Sequence, residues 1–203
     1  MNTSLISERD PEDQPLCRSY VSVLFNPISA RVSGKADTHP MPMLWAIGVL
    51  YDGQPDYLGS WVASGPKDSQ WLAIAEDLKA RGVERIRFII GPSPTEMQAA
   101  VTARCCTGNW HCTALPISRM AIAPSVIDAL LPGHRPYIER VLEVATPLGA
   151  RLKRALARHG SFASAAAAAA LLRQSTKRYI NAKWPEPETV PAPPLRAQHA
   201  TTG

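Results

Sequence analysis

Long apolar runs are missing from this chain of 203 residues. A membrane-crossing helix needs roughly 20 consecutive apolar residues, so none is expected. Cysteine is scarce as well. There are four in all, three of them crowded at Cys105, Cys106 and Cys112, which is not the spaced framework of a small secreted protein. The first residues are polar and acidic from Ser7 to Asp13, unlike a signal peptide, so a cytoplasmic location is expected. No glycine loop of the phosphate-cradling kind is present, and Ser118, Ser161 and Ser164 lack the turn that exposes a catalytic serine. No small-molecule cofactor is expected. Acid is the minority charge: 17 Asp and Glu against 22 Lys and Arg, a net charge of +5 and a pI near 9.2. That balance permits nucleic acid as a partner without requiring it.

What is present reads as an α/β protein. A polar leader over 1–17 precedes a β-branched and aromatic strand at Tyr20–Phe25 that Pro27 is expected to close. Residues 33–42, with Gly34, Pro40 and Pro42, read as a loop. A strand over Met43–Tyr51, a turn at Asp52-Gly53 and a strand over Tyr57–Val62 make an antiparallel hairpin. Ser64-Gly65-Pro66 then opens a helix whose apolar stripe is Trp71, Ile74, Ala75 and Leu78, with Gly82 as its stop. The helical crossover predicts that the next strand, Arg85–Ile90, lies parallel in the same sheet. A helix over Pro94–Arg104 and a strand over Trp110–Leu115 follow. Beyond Pro116, helices are expected over 117–131, 136–159 and 162–183, then a proline-rich unstructured tail over 185–203. The order β-β-β-α-β-α-β fits a mixed, ribonuclease H-like sheet over 18–116, followed by a helical arm over 117–184.

One block is more specific than these elements. Leu58, Gly59, Trp61 and Val62 are followed by Trp71 and Leu72, then by Asp77, Leu78, Lys79, Arg81 and Gly82. In this order and spacing the block resembles that of the Mutator-type transposases of bacterial insertion sequences. Ala46-Ile47-Gly48-Val49 and Asp52-Gly53 resemble the hairpin upstream of it, and the likeness is clearest over 43–90.

The resemblance implies DNA transposition on a ribonuclease H-like sheet, with three carboxylates holding paired Mg²⁺ ions. Hard divalent ions demand oxygen ligands, and two of them activate the attacking oxygen and stabilise the leaving one. The first acid position falls on Asn26, and the second on Gly91 at the end of the fourth strand. A Cys-x-x-His element of the family falls on Cys112-Thr113-Ala114-Leu115, without its histidine. No third acid is reached. The chain is therefore expected to be a truncated, degenerate transposase with no catalytic residues and no metal of its own. Asp37, Asp52, Asp56 and Glu96 are the acids that could substitute. Asp52 is better explained by its turn and Glu96 by the first turn of a helix.

Two further clusters call for a reading. Cys105-Cys106 with His111-Cys112 suggests zinc, but adjacent ligands do not match structural-site spacing, and buried thiols are expected. Basic residues gather at Arg151, Lys153, Arg154 and Arg158, and again at Arg173, Lys177 and Arg178. Of these, Arg151, Lys153, Arg154, Arg158, Lys177 and Arg178 are the candidate contacts to DNA phosphates; the alternative is a solvated helix face. The expected partners are DNA, a full-length transposase or a second copy. Two other readings stand beside this one: an active fragment completed by a downstream reading frame, and an unrelated α/β interaction module.

Overall fold

The computed structural model describes residues 15–33, 37–63, 67–106, 112–117, 122–130 and 132–185. Its elements in order are β1 (Ser19–Ser33), β2 (Thr38–Val49), β3 (Pro55–Val62), α1 (Lys67–Ala80), β4 (Arg85–Gly91), α2 (Pro94–Cys105), β5 (Thr113–Pro116), α3 (Pro124–Asp128), α4 (Arg135–His159) and α5 (Ala165–Lys183). The strands form one mixed sheet in the order β3-β2-β1-β4-β5. β1 to β3 pair antiparallel as a meander, while β4 lies parallel to β1 and β5 parallel to β4. The crossover through α1 therefore has the predicted consequence.

Both faces of the sheet are covered. On one, Trp71, Ile74, Ala75 and Leu78 of α1 join Met97 and Val101 of α2 over Val23, Phe25, Ile86 and Ile89. This stripe is the one its sequence spacing predicts, and each large side chain removed from water contributes roughly 1.5–3 kcal/mol. The end of α1 is also as expected: past Gly82, the Val83 N–H bonds back to the Leu78 carbonyl. On the other face, Val141, Ala145, Leu148 and Leu152 of α4 and Leu172 of α5 pack over Leu24, Ile28, Trp45 and Ile90. The segment expected as a helical arm thus shares a hydrophobic core with the sheet.

The boundaries differ from the sequence reading in instructive places. β1 does not stop at Pro27 but runs six residues further to Ser33. β4 pairs with β1 only as far as Leu24, so Pro27 has a strand neighbour on one side alone, where a missing N–H is tolerated. Among its described residues, the expected loop at 33–42 is largely strand, again with its prolines placed where a missing N–H is tolerated. Pro40 pairs with Arg31 and Pro42 with Ser29; β3 pairs with β2 from Met43, and Pro42 meets that side only through its carbonyl, which accepts from the Ala63 N–H at 2.8 Å. The hairpin turn at Asp52-Gly53 forms, with the Asp52 carboxylate accepting from the Gln54 N–H at 2.9 Å, but β2 ends at Val49. The helix expected over 117–131 is, among the described residues, only the five-residue α3. α5 begins at Ala165, because Phe162 pairs with Val32 of β1 instead of entering the helix. Ser164 caps α5 by accepting from the Ala167 N–H.

Candidate functional site

The specific block of the sequence folds into one structural clamp. A bulge interrupts the β2–β3 ladder between Ala46 and Ile47, so Gly59 faces Ala46 and Tyr57 faces Ile47. Gly59 has φ +156° there, and a Cβ on it would lie 2.7 Å from the Trp61 ring. Only glycine fits a bulge of this shape under an indole. The Trp61 Nε1–H donates to the Asp77 carboxylate at 3.1 Å. Arg81, one turn further along, pairs with Asp77 at 3.3 Å and donates to the carbonyl of buried Leu58. Trp71 stands edge-on to Phe25 of β1, ring centroids 5.3 Å apart. The conspicuous residues thus join the bulged edge strand to the first helix.

The two positions at which the resemblance implies acids lie at the ends of neighbouring parallel strands. Leu24 is level with Ile90 in the last paired rung of the two strands, and Phe25 and Gly91 follow directly. The side-chain directions at 26 and 91 differ. Asn26 is 7% exposed and pairs with Trp45, whose ring belongs to the α4 side of the sheet. A Cβ on Gly91 would meet Met97 at 2.6 Å and the Phe25 Cβ at 3.4 Å, both on the α1–α2 side. Side chains at 26 and 91 therefore leave opposite faces.

Other acids sit elsewhere. Asp56 accepts from the Tyr20 hydroxyl at 2.6 Å. Asp52 is engaged in its turn, and Glu96 lies in the first turn of α2. Asp37 lies beyond the Ser33–Thr38 rung, seven strand residues from the level of Asn26 or roughly 23 Å at strand rise. Among the described residues, no three His, Cys, Asp or Glu side chains are grouped so that they could hold an ion.

The basic residues are arranged more coherently. α4 and α5 form a hairpin with exposed cations on its outer surface. One hollow between them is lined by Arg151, Arg158, His159 and Arg178. The adjoining one, of about 890 Å³, is lined by His159, Arg173, Lys177 and Arg178. Of the six candidate phosphate contacts, the structure brings Arg151, Arg158, Lys177 and Arg178 together. Lys153 and Arg154 are exposed on α4 outside both hollows. Arg151, Arg154, Arg158 and Arg178 enter none of the ion pairs found among the described residues. The sequence explains why: no Asp or Glu occurs between Glu143 and Glu186.

Residues 10–123 match the family model described as "Transposase, Mutator family". That is more than half of the chain, and it takes in the whole sheet and the clamp. The chain belongs to the Mutator family of transposases. It is similar to the "Probable transposase for insertion sequence element ISRM3-like" of Sinorhizobium fredii, 26% identical over 92 residues, 45% of this chain and 23% of that protein. It is similar to the same extent, over the same shares, to the "Transposase for insertion sequence element ISRM3" of Rhizobium meliloti. The aligned stretch thus spans about a quarter of these relatives' length. The basic hairpin of α4 and α5 lies beyond the matched residues.

The three crowded cysteines of this Mutator-family chain lie at the end of α2 and the start of β5. Cys105 is buried and its Sγ–H donates to the Ala75 carbonyl at 3.3 Å; burial pushes its pKa up to about 12. Cys106 is half-buried, and a hydrogen bond from the Cys112 thiol lowers its pKa. Cys112 moves upward in consequence, by that same bond and by burial. His111, the remaining member of the zinc reading, lies outside the described residues, as does Ser118. No described helix is long and apolar enough to cross a membrane.

Proposed function

We propose that the sheet is ribonuclease H-like and that this Mutator-family chain binds DNA without cutting or joining it. The fold reading is supported by the antiparallel meander at one end and by two strands added parallel to a central β1. Two divalent ions would need several carboxylate oxygens between them. Asn26 offers one neutral oxygen and Gly91 offers no side chain, so the residues present do not fit a paired-ion site.

The DNA reading rests on one observation. The exposed hairpin of α4 and α5 carries cations along both helices and no carboxylate from Val144 to Pro185. Such a surface neutralises backbone phosphates and releases their counterions, giving affinity that is independent of sequence and falls steeply with salt. A fluorescence-anisotropy titration of duplex DNA at several salt concentrations tests it. Binding that weakens with salt is expected, and undetectable binding at low salt eliminates the proposal. Catalytic silence has its own test. Incubation of DNA with Mg²⁺ or Mn²⁺ is expected to leave it intact, and metal-dependent nicking lost on Asp37→Asn or Glu96→Gln overturns the reading.

A second role, association with a full-length transposase, is favoured by the extent of the family match, which covers the sheet and not the basic hairpin. It predicts co-purification of a full-length Mutator transposase with this chain. A result no better than with an unrelated basic protein would exclude it.

A further inference from the structure

The turn joining α4 to α5 places a flat aromatic platform within the basic surface, and we propose that this platform receives an unpaired base of single-stranded DNA. The proposal rests on the reading of that surface as a DNA-binding face and narrows it to a kind of DNA. His159 is the last residue of α4. Gly160 follows with φ +83°, a conformation glycine adopts readily, and the reversal brings Phe162 against the imidazole. The two rings are parallel, with centroids 4.0 Å apart and planes 4° from each other.

Phe162 is a fixed base for this stack. Its N–H donates to the Arg31 carbonyl and its own carbonyl accepts from the Ser33 N–H, each at 2.8 Å. Its side chain is 2% exposed, within the core shared by α4, α5 and the sheet. His159 is exposed and lines both basic hollows, between Arg158 on its own helix and Arg178 on the next.

The geometry has a chemical meaning. Duplex DNA offers phosphates to such a surface but keeps the faces of its bases stacked inside. A single strand offers both, and stacking on a ring tolerates any base because every base has a π-face. The ring seated on Phe162 is held before any base arrives, so little side-chain entropy is lost on stacking. Guanidinium groups on either side are placed for the phosphates that flank the stacked nucleotide. A purely structural His159, acting as a cation at the C-terminal end of α4, would need its charge but not its ring.

Anisotropy with dye-labelled oligothymidylate and with a blunt duplex of equal length, at one low salt concentration and with the full chain, separates these cases. His159→Ala is expected to weaken single-strand binding about tenfold, within the range alanine substitution gives for one stacked base, with a several-fold smaller loss on duplex. His159→Phe is expected to restore single-strand binding. Equal losses on both DNAs, no loss on the single strand, or rescue by His159→Lys but not by His159→Phe would each overturn the proposal. If the wild-type chain binds neither DNA, the DNA-binding surface itself fails; if it binds duplex without a His159-dependent response to the single strand, only the platform fails.

Discussion

Replacing Arg81 with alanine tests whether the most recognisable block of this family holds the fold together or serves its chemistry. The arginine side chain is 10% exposed and its partner Asp77 is 36% exposed. Removing it takes a donor from the carbonyl of Leu58, a fully buried residue on the bulged strand. A buried acceptor left without a partner costs about 1–3 kcal/mol. Asp77 can turn to water, so loss of that pair adds only about 0.5–1 kcal/mol. The total is about 2–4 kcal/mol. In a chain of this size each kcal/mol moves the melting temperature by roughly 2–4 °C, so a fall of about 4–16 °C is expected. Thermal unfolding followed by circular dichroism measures it. Asp77→Ala frees the Trp61 indole as well, and a double-mutant cycle should show the two changes coupled by more than about 0.5 kcal/mol. A fall under about 2 °C, or strict additivity, would refute the idea that the block is a structural clamp.

Gly59→Ala should be destabilising even though alanine is small, since its Cβ would lie 2.7 Å from Trp61 at φ +156°; an urea midpoint equal to the wild type would contradict the bulge geometry. Asn26→Asp combined with Gly91→Asp should not create a Mg²⁺ site, because the two side chains leave opposite faces; a stoichiometric calorimetric signal for Mg²⁺ would show that they converge. Arg151→Ala, Arg158→Ala and Arg178→Ala should each lower the salt dependence of duplex binding by about one phosphate contact, whereas Lys153→Ala should change it less. Thiol labelling by a disulfide reagent should be fastest at Cys106: the Cys112 hydrogen bond favours its thiolate, which forms as pH rises through about 7, while burial raises Cys105 and Cys17 is also raised. Faster labelling at Cys17 in a Cys106→Ser comparison would argue against that assignment.

The sequence carried the sheet's connectivity well because it lies in local pattern. The Asp52-Gly53 turn sets the hairpin, and the spacing of Trp71, Ile74, Ala75 and Leu78 sets the helix that must cross over to β4. Strand ends were less legible. Pro27, Pro40 and Pro42 read as breakers, and only the register shows how each is tolerated: β4 stops short of Pro27, β3 pairing starts beyond Pro40, and Pro42 uses its carbonyl to accept from the Ala63 N–H. The clamp was visible as a motif but not as a contact, since Trp61, Asp77 and Arg81 meet only through the packing of α1 on β3. The basic residues were legible as charge, yet which of them share a hollow depends on how α4 and α5 face each other. The stack of His159 on Phe162 depends on a turn whose shape Gly160 permits but does not announce. The direction of side chains at 26 and 91 likewise needs the parallel register, which no local pattern encodes.

The backbone bonds between Phe162 and the pair Arg31 and Ser33 have a kinetic consequence. The far tip of β1 is completed by Phe162, a residue made long afterwards, just before the last described helix. Closing so long a loop is entropically costly before any contact repays it. The β1–β2 ribbon must therefore wait, half-paired, until the chain returns to it. This seam is where refolding should finish last and where hydrogen exchange should first betray opening.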